Sequence, residues 1–412
     1  MKKNKEFLAL DIGSAHVKAL VGELGRDGTM SLVSLVRMPS RGMKRGMVDD
    51  PSDVAGAVHQ VLVEVRKSHP EAHKAIFVNV TTPHVKAQIS RGIVAVSRAD
   101  SQIHHDDIMR VEAASQATGM PRGRMVVHLI NQEYVVDGIT GIRNPLGMIG
   151  SRLELVSMIV DVFEPAVKSV TKAAETAGGE IEGIIFGPLA SAQAVLTKNQ
   201  RDLGVALVDI GHDVTSVAVY EDGKLVHVAA IPLGAASVTN DLAVGLRISP
   251  EAAEAVKRSF GSAVSKDIPA RDMIDLGKID ARARGVVARR LAGEIIEARY
   301  EEIFGFVGEE LKKIGKAGRL PAGVVLVGGG AKMTGVAECA REVLRLPAQI
   351  GVCDLSRMAV HGGESVAQAE DPEFACAVGL LSWAREQAGE PERAGASSLK
   401  GIFKKFVDYF MP

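Results

Sequence analysis

The chain is patterned in short apolar runs separated by polar turns, and two of these runs share one design. Residues 7–21 read FLALDIGSAHVKALV, and residues 205–219 read VALVDIGHDVTSVAV. In each, an apolar run of strand length meets Asp-Ile-Gly, and a second apolar run follows a polar turn. This predicts a buried β-hairpin with the aspartate at the strand end. The triplets stand 209 − 11 = 198 residues apart. The match continues past them, with Asp222-Gly223 echoing Asp27-Gly28 and Ile231-Pro232-Leu233-Gly234 echoing the stretch from Met38 to Gly42.

Around the first hairpin the pattern predicts a helix near 51–67 and a strand at 75–80, with 39–50 as a surface loop of mixed charge holding two glycines. From 84 to 161 the period changes. Alternation at 85–89 and 92–96, a helix at 106–118 and strands at 125–130, 133–136 and 153–160 predict a small inserted α/β unit. Its stretch 138–154 is glycine-rich and reads as an ordered loop, and His104-His105-Asp106-Asp107 reads as a solvated helix start with Asp106 as N-cap. The second half predicts helices at 238–246 and 250–260, a charged helix pair over 268–316, and, at 324–336, a buried strand running into Gly328-Gly329-Gly330 and a helix from about Met333.

The chemistry follows from the turns. A glycine at a strand end lets backbone N–H groups and small side chains wrap a phosphate. Two such turns facing each other can hold a polyphosphate, with Asp11 and Asp209 aimed at a magnesium ion through water. The candidates are Gly13, Ser14 and Lys18 from the first turn and Gly211, His212, Asp213, Thr215 and Gly234 from the second. Gly328, Gly329, Gly330 and Lys332 would border a base and ribose, where bare backbone allows close approach.

Composition narrows the rest. With 412 residues the chain is long enough for two or more packed domains. Its 49 basic and 50 acidic residues give no global attraction for nucleic acid. Cys339, Cys353 and Cys376 are widely spaced in apolar surroundings and read as reduced thiols. The N-terminal apolar run is cut by Asp11, which argues against a signal peptide, and no run reaches a bilayer span, so the body is expected in the cytoplasm.

The tail differs. After Trp383 the sequence turns polar and small, as a flexible linker would over 384–396. Residues 397–412 then place Leu399, Ile402, Phe403, Phe406, Val407 and Phe410 on one helical stripe, with Lys400, Lys404, Lys405 and Asp408 opposite. An aromatic stripe beside three lysines suits an anionic lipid surface.

The two Asp-Ile-Gly turns and the Gly328-Gly329-Gly330 stretch resemble the phosphate and adenosine motifs of the actin-like ATPase superfamily. Two further stretches, from Phe186 to Ala192 and from Phe374 to Leu380, resemble its connecting helices, whose small residues let them cross closely at an interdomain hinge. The run from Val127-His128-Leu129-Ile130-Asn131-Gln132-Glu133-Tyr134 through Asn144-Pro145-Leu146-Gly147-Met148 to Arg152-Leu153-Glu154, with the loop at 39–50, resembles bacterial FtsA, the actin-like cell-division family. The resemblance implies an α/β actin-like fold: ribonuclease H-like duplicated domains around a nucleotide cleft, an inserted FtsA-type subdomain, and a C-terminal amphipathic helix. It divides the chain into subdomain 1A (1–83 and 162–203), 1C (84–161), 2A (204–267), 2B (268–316), a return through 2A to 1A (317–383), the linker and the membrane-targeting helix.

That resemblance also implies function. ATP and Mg2+ would occupy the cleft, with Glu254 and Lys257 on the ribose and base. Arg289, Arg290 and Arg299 would meet the carboxylates of the FtsZ C-terminal tail. The protein would polymerise with itself at the division site, on the cytoplasmic face of the inner membrane, and recruit later division proteins. Membrane contact would fall to Leu399, Ile402, Phe403, Lys404, Lys405, Phe406, Val407 and Phe410. One departure stands out, because His212 and Asp213 add bulk and charge where the superfamily's second phosphate turn is glycine-rich. Slow or absent hydrolysis is therefore expected, and no residue presents itself as a general base. A PilM-like pilus-assembly protein and a soluble sugar kinase are the two alternatives on the same fold.

Overall fold

The computed structural model describes residues 5–389 apart from 118–120, 281, 282, 284, 357 and 362–365. The amphipathic stretch 397–412 lies outside the described residues, as do 390–396 of the expected linker.

Two sheets repeat one topology. The first runs Ile181–Phe186, Ile76–Val80, Lys5–Ile12, His16–Leu24, Met30–Pro39 and finally Met358–Val360. The second runs Ala348–Ile350, Val324–Val327, Val205–Ile210, Thr215–Glu221 and Lys224–Ile231. In each, an antiparallel meander of three strands is extended by parallel strands on the side of its first strand. The duplication holds to the residue: Asp11 pairs with Lys18 and Asp209 with Ser216, so 209 − 11 and 216 − 18 are both 198. The central strands are buried on both faces, as sheets covered by helices on both sides require, and their Val, Leu and Ala side chains build two large cores.

Helices Gly187–Val195 and Ala375–Gly389 join the halves and cross each other. The crossing is close because the residues are small: a Cβ at Gly379 would overlap Ala190 O. The second helix runs on to Gly389, beyond the expected start of the linker at 384, and Ala384 is fully buried. The run after Trp383 is made of good helix formers, and the packing of Ala384 extends the helix into it.

The inserted unit has a four-stranded sheet, ordered Lys86–Ala95, Arg152–Phe163, Arg124–Val136 and Ile139–Ile142. Helix His105–Gln116 lies on it, and a Cβ at Gly92 would overlap Val111 O. Four expectations need correction here. The stretches expected at 85–89 and 92–96 are one strand, Lys86–Ala95, paired without interruption. The strands expected at 125–130 and 133–136 are one strand whose register shifts within it. The stretch 138–154 is not all loop: Asp137 and Gly138, at φ 47° and 88°, make a tight hairpin turn into Ile139–Ile142. The helix is capped at His104, whose N–H donates to Asp107 at 2.9 Å, while Asp106 takes Arg98 at 2.6 and 2.7 Å.

The region 268–316 is not a helix pair. It is a short ribbon, Met273–Asp275 with Val286–Ala288, followed by one helix of 25 residues, Arg289–Lys313. Pro269, Gly277 and Gly285 interrupt the first part, and its apolar residues Ile274 and Leu276 are buried with the long helix in the second core.

Candidate functional site

The two turns close in the same way. Gly13 N–H donates to His16 O at 3.1 Å and Gly211 N–H to Val214 O at 2.9 Å, each reversing the chain just past its aspartate. Asp11 is buried, its Oδ2 accepting from Lys18 Nζ at 2.9 Å and its Oδ1 from Asn79 Nδ2 at 2.7 Å. Asn79 Oδ1 in turn accepts from Ile12 N–H at 2.8 Å, which fixes the amide's orientation. Lys18 Nζ also donates to Glu373 O at 2.7 Å. Burial works against its charge, but the Asp11 charge and hydrogen bond outweigh burial and hold the Lys18 amine above its ordinary range.

Asp209 accepts from Ser191 Oγ at 2.9 Å. Burial pushes its carboxyl upward; the Ser191 bond and the charge of Lys18 oppose that only in part. Lys18 and Asp11 both act on it, so the two turns share one electrostatic site. Burial first, then Arg37, Lys18 and His212, bring His16 down to about 4. His16 is therefore neutral near pH 7, and the cations that act on it, Lys18 and Arg37, are paired with Asp11 and Glu373. Ser14 sits half-buried in the first turn. Thr215 Oγ1 is buried without a hydrogen-bond partner among the described residues.

The expected surface loop at 39–50 proves to be a hairpin, Met43–Lys44 with Met47–Val48, whose tip enters this cleft. Arg45 and Gly46, at φ 50° and 73°, turn the chain, and Gly46 packs so closely on Thr81 O that a Cβ would overlap it. Arg45 N–H donates to Asp213 Oδ2 at 3.0 Å across the two halves. The Asp213 carboxylate is thus directed at the hairpin.

In the second half, Lys257 Nζ lies 2.5 Å from Glu254 Oε2 and 2.7 Å from Thr239 Oγ1, and Thr239 Oγ1 donates to Glu254 Oε2 at 2.6 Å. Burial raises the Glu254 carboxyl, but the Lys257 and Thr239 bonds outweigh it and the net shift is downward. Gly234 abuts the second turn: a Cβ there would lie 2.5 Å from His212 O.

The three consecutive glycines have separate reasons. Gly328, at φ 84°, and Gly330 pack against Asp209 and Ile210 so closely that side chains would overlap them. Gly329 would meet nothing within 4 Å, so its backbone faces open space. Gly330 O accepts from the buried Tyr300 hydroxyl at 2.8 Å, which ties this loop to the long helix. Lys332 pairs with Asp371 beside the strand-to-helix return.

The arginines at 289, 290 and 299 do not form one group. Arg299 holds Asp241 through two bonds of 2.6 and 2.9 Å and also meets Glu302. Arg289 donates to Phe260 O at 2.9 Å and to Asp272 Oδ2 at 3.4 Å, and Arg290 reaches Lys266 O at 3.4 Å. Ten helical residues put Arg299 about 15 Å along the axis from Arg289.

Asn79, Tyr300 and the Arg45-Gly46 tip were not singled out from the sequence, and Ser191 only as a small hinge residue. Asn79 left a signal, a lone amide in the apolar strand Ile76–Val80. A cavity of about 670 Å³ lies away from this cleft, between the inserted unit and the second half, lined by Gln132, Arg143, Arg201 and Lys224. No helix among the described residues is long and apolar enough to cross a membrane.

Comparison with known proteins follows the same lines. Residues 206–379 match the family model of cell division protein FtsA, and residues 83–160 match that of the SHS2 domain inserted in FtsA. The FtsA protein of Pseudomonas aeruginosa is 34% identical over 95% of this chain and 92% of its own length. Those of Bacillus subtilis and Escherichia coli are 32% and 31% identical, over 94% and 93% of this chain and 85% and 91% of theirs. Among solved structures, the PilM-PilN type IV pilus biogenesis complex has a TM-score of 0.63 at 20% identity, over 94% of this chain and 100% of that one. MreB5 of Spiroplasma citri bound to ADP has 0.55 at 13%, over 93% and 97%. These two share the actin-like fold, whereas the sequence relatives decide between families: the chain is a member of the FtsA family of cell division proteins.

Proposed function

We propose that the chain binds ATP between its two halves and, in that state, polymerises on the inner membrane and tethers the FtsZ ring to it. The observation that carries the nucleotide reading is the facing pair of Asp-Ile-Gly turns around Lys18, whose ammonium acts on both Asp11 and Asp209. The residues fit a magnesium nucleotide. Asp209 is a half-buried carboxylate with a hydroxyl rather than a cation bonded to it, Thr215 Oγ1 is unpartnered among the described residues, and the backbone of Gly329 is open. Bound Mg2+ would neutralise phosphate charge, held through water by Asp11 and Asp209. Gly13, Ser14, Gly211 and His212 would surround the phosphates, and Glu254, Lys257 and the stretch 328–330 the nucleoside. MreB5, a fold neighbour, was solved with ADP, which supports this reading.

On the 2B unit, Val286 and Leu291 are exposed apolar residues close in sequence to Arg290, and exposed Met273 pairs with Ala288 on the strand just before it. That mix of apolar surface and cation suits an acidic-hydrophobic peptide such as the FtsZ tail. Arg290 is better placed for it than Arg289 and Arg299, which would first have to leave Asp272 and Asp241. The inserted unit would contact the next protomer and later division proteins, and residues 397–412 would anchor the polymer.

The test is co-sedimentation with anionic liposomes in ATP, with the full chain and a chain ending at Glu392. The full chain should pellet and be released by salt. Equal pelleting of both chains, or of neither, removes the tether.

A further inference from the structure

At the far end of the strand that carries Asp11, Glu6 lies directly opposite Glu23 on the neighbouring strand. Like charges facing each other across an antiparallel pair are destabilising. A third group closes on them from the segment after the first helix, Pro51–Arg66. His69 Nδ1 stands 3.8 Å from Glu6 Oε1 and 3.9 Å from Glu23 Oε1, and one donor atom from each of the three residues lies within 4.8 Å of the others. These separations exceed hydrogen-bond lengths. They come near the roughly 3.3–3.5 Å between neighbouring ligands of a tetrahedral ion with bonds of about 2.0–2.2 Å.

Two more observations point to a ligand. Glu6 Oε2 is fully buried with no hydrogen-bond partner among the described residues, and the Glu6 and His69 side chains are only 12% and 13% exposed. A buried carboxylate oxygen left unsatisfied is costly, and a cation is the group that removes the cost at both glutamates at once. Among the described residues, the cations close in sequence are engaged elsewhere: Lys5 with Glu182, Arg66 with Gly178 O and Lys67 with Glu64.

We propose that Glu6, Glu23 and His69 bind one divalent first-row transition-metal ion of the zinc type, which fastens the segment after the first helix to the outer end of the first hairpin. Two carboxylates and one imidazole suit such an ion and leave its fourth position to water. Magnesium prefers an all-oxygen shell, so the imidazole selects against it. The site is separate from any nucleotide-bound metal, because five strand residues put Glu6 about 17 Å from Asp11.

The experiment is calorimetric titration of the chelator-treated full chain with ZnCl2, paired with the visible spectrum of the protein loaded with Co2+. We expect one equivalent to bind, with His69→Gln and Glu23→Gln each weakening it at least tenfold. We also expect tetrahedral cobalt bands that His69→Gln abolishes, and a zinc-dependent rise in the unfolding midpoint that both variants lose. If His69→Gln does not fold, Glu23→Gln, at the more exposed corner, decides by the same measurements. Wild-type stoichiometry and affinity in the variants would mean an adventitious ion only, and no binding to the wild type would leave three side chains in contact without an ion. Either result overturns the site.

Discussion

Asp11 and Asp209 occupy the same place in two hairpins that match strand for strand, yet they are held differently. Asp11 receives the Lys18 ammonium and the Asn79 amide. At the second site the register puts Ser216 where Lys18 would be, and the strand neighbour of Asp209 is Val327. The bond it does have comes from Ser191, on the helix that crosses between the halves. Duplication thus preserves the backbone while the charges diverge. One aspartate is part of an internal ion pair; the other is a half-buried carboxylate bonded to a hydroxyl.

The largest effects separate the two directly. Asp11→Asn strands the Lys18 ammonium in a buried setting, and breaking a buried pair in this way costs about 3–5 kcal/mol. Urea unfolding of the nucleotide-free protein should show that loss. Asp209→Asn should act in the opposite direction. The folded-state pKa of Asp209 is raised, so the fold disfavours its charged form. The penalty is present above the raised folded value and disappears as pH falls through it toward the unfolded value. The variant should therefore unfold later than wild type at pH 7.5, by on the order of 2 °C, and lose that margin in acid. The same variant should bind magnesium nucleotide more weakly. Destabilisation by both substitutions at neutral pH would erase the contrast.

The contrast was legible in part from the chain. The Asp-Ile-Gly turns are local features: an apolar run, an acid and a glycine suffice to specify a hairpin, and the spacing of 198 survives into the paired strands. The partners of the aspartates are not local. Ser191 and Asn79 reach them from other elements, and only the lone polar position of Asn79 in Ile76–Val80 marked it. The hairpin at 43–48 is harder still to read, since its charged, glycine-containing sequence looks like any exposed loop. What orders it is the contact of Gly46 with Thr81 and of Arg45 with Asp213, 168 residues away. Likewise 268–288 looks helical in composition, but Pro269, Gly277 and Gly285 turn it into a ribbon under the long helix.

The smallest expected effect sharpens the comparison most, because it concerns the residue that makes the second turn unlike the first. Asp213 stands 198 residues after Ala15, so a carboxylate replaces a methyl group at the same place in the turn. Beside a polyphosphate that charge would be repulsive. Its carboxylate instead accepts from Arg45 N–H, and its position is that of a clasp between the halves. A hydrogen bond at a partly exposed site is worth about 0.5–1.5 kcal/mol, so Asp213→Ala should lower global stability by no more than that. Amide exchange at Arg45 and Gly46 should accelerate, and affinity for ATP should change by less than about threefold, a shift of under 1 kcal/mol. A gain in affinity of tenfold or more, with exchange at Arg45 unchanged, would mean that the carboxylate faces the phosphates after all. The second turn would then differ from the first by a charge set against its own ligand.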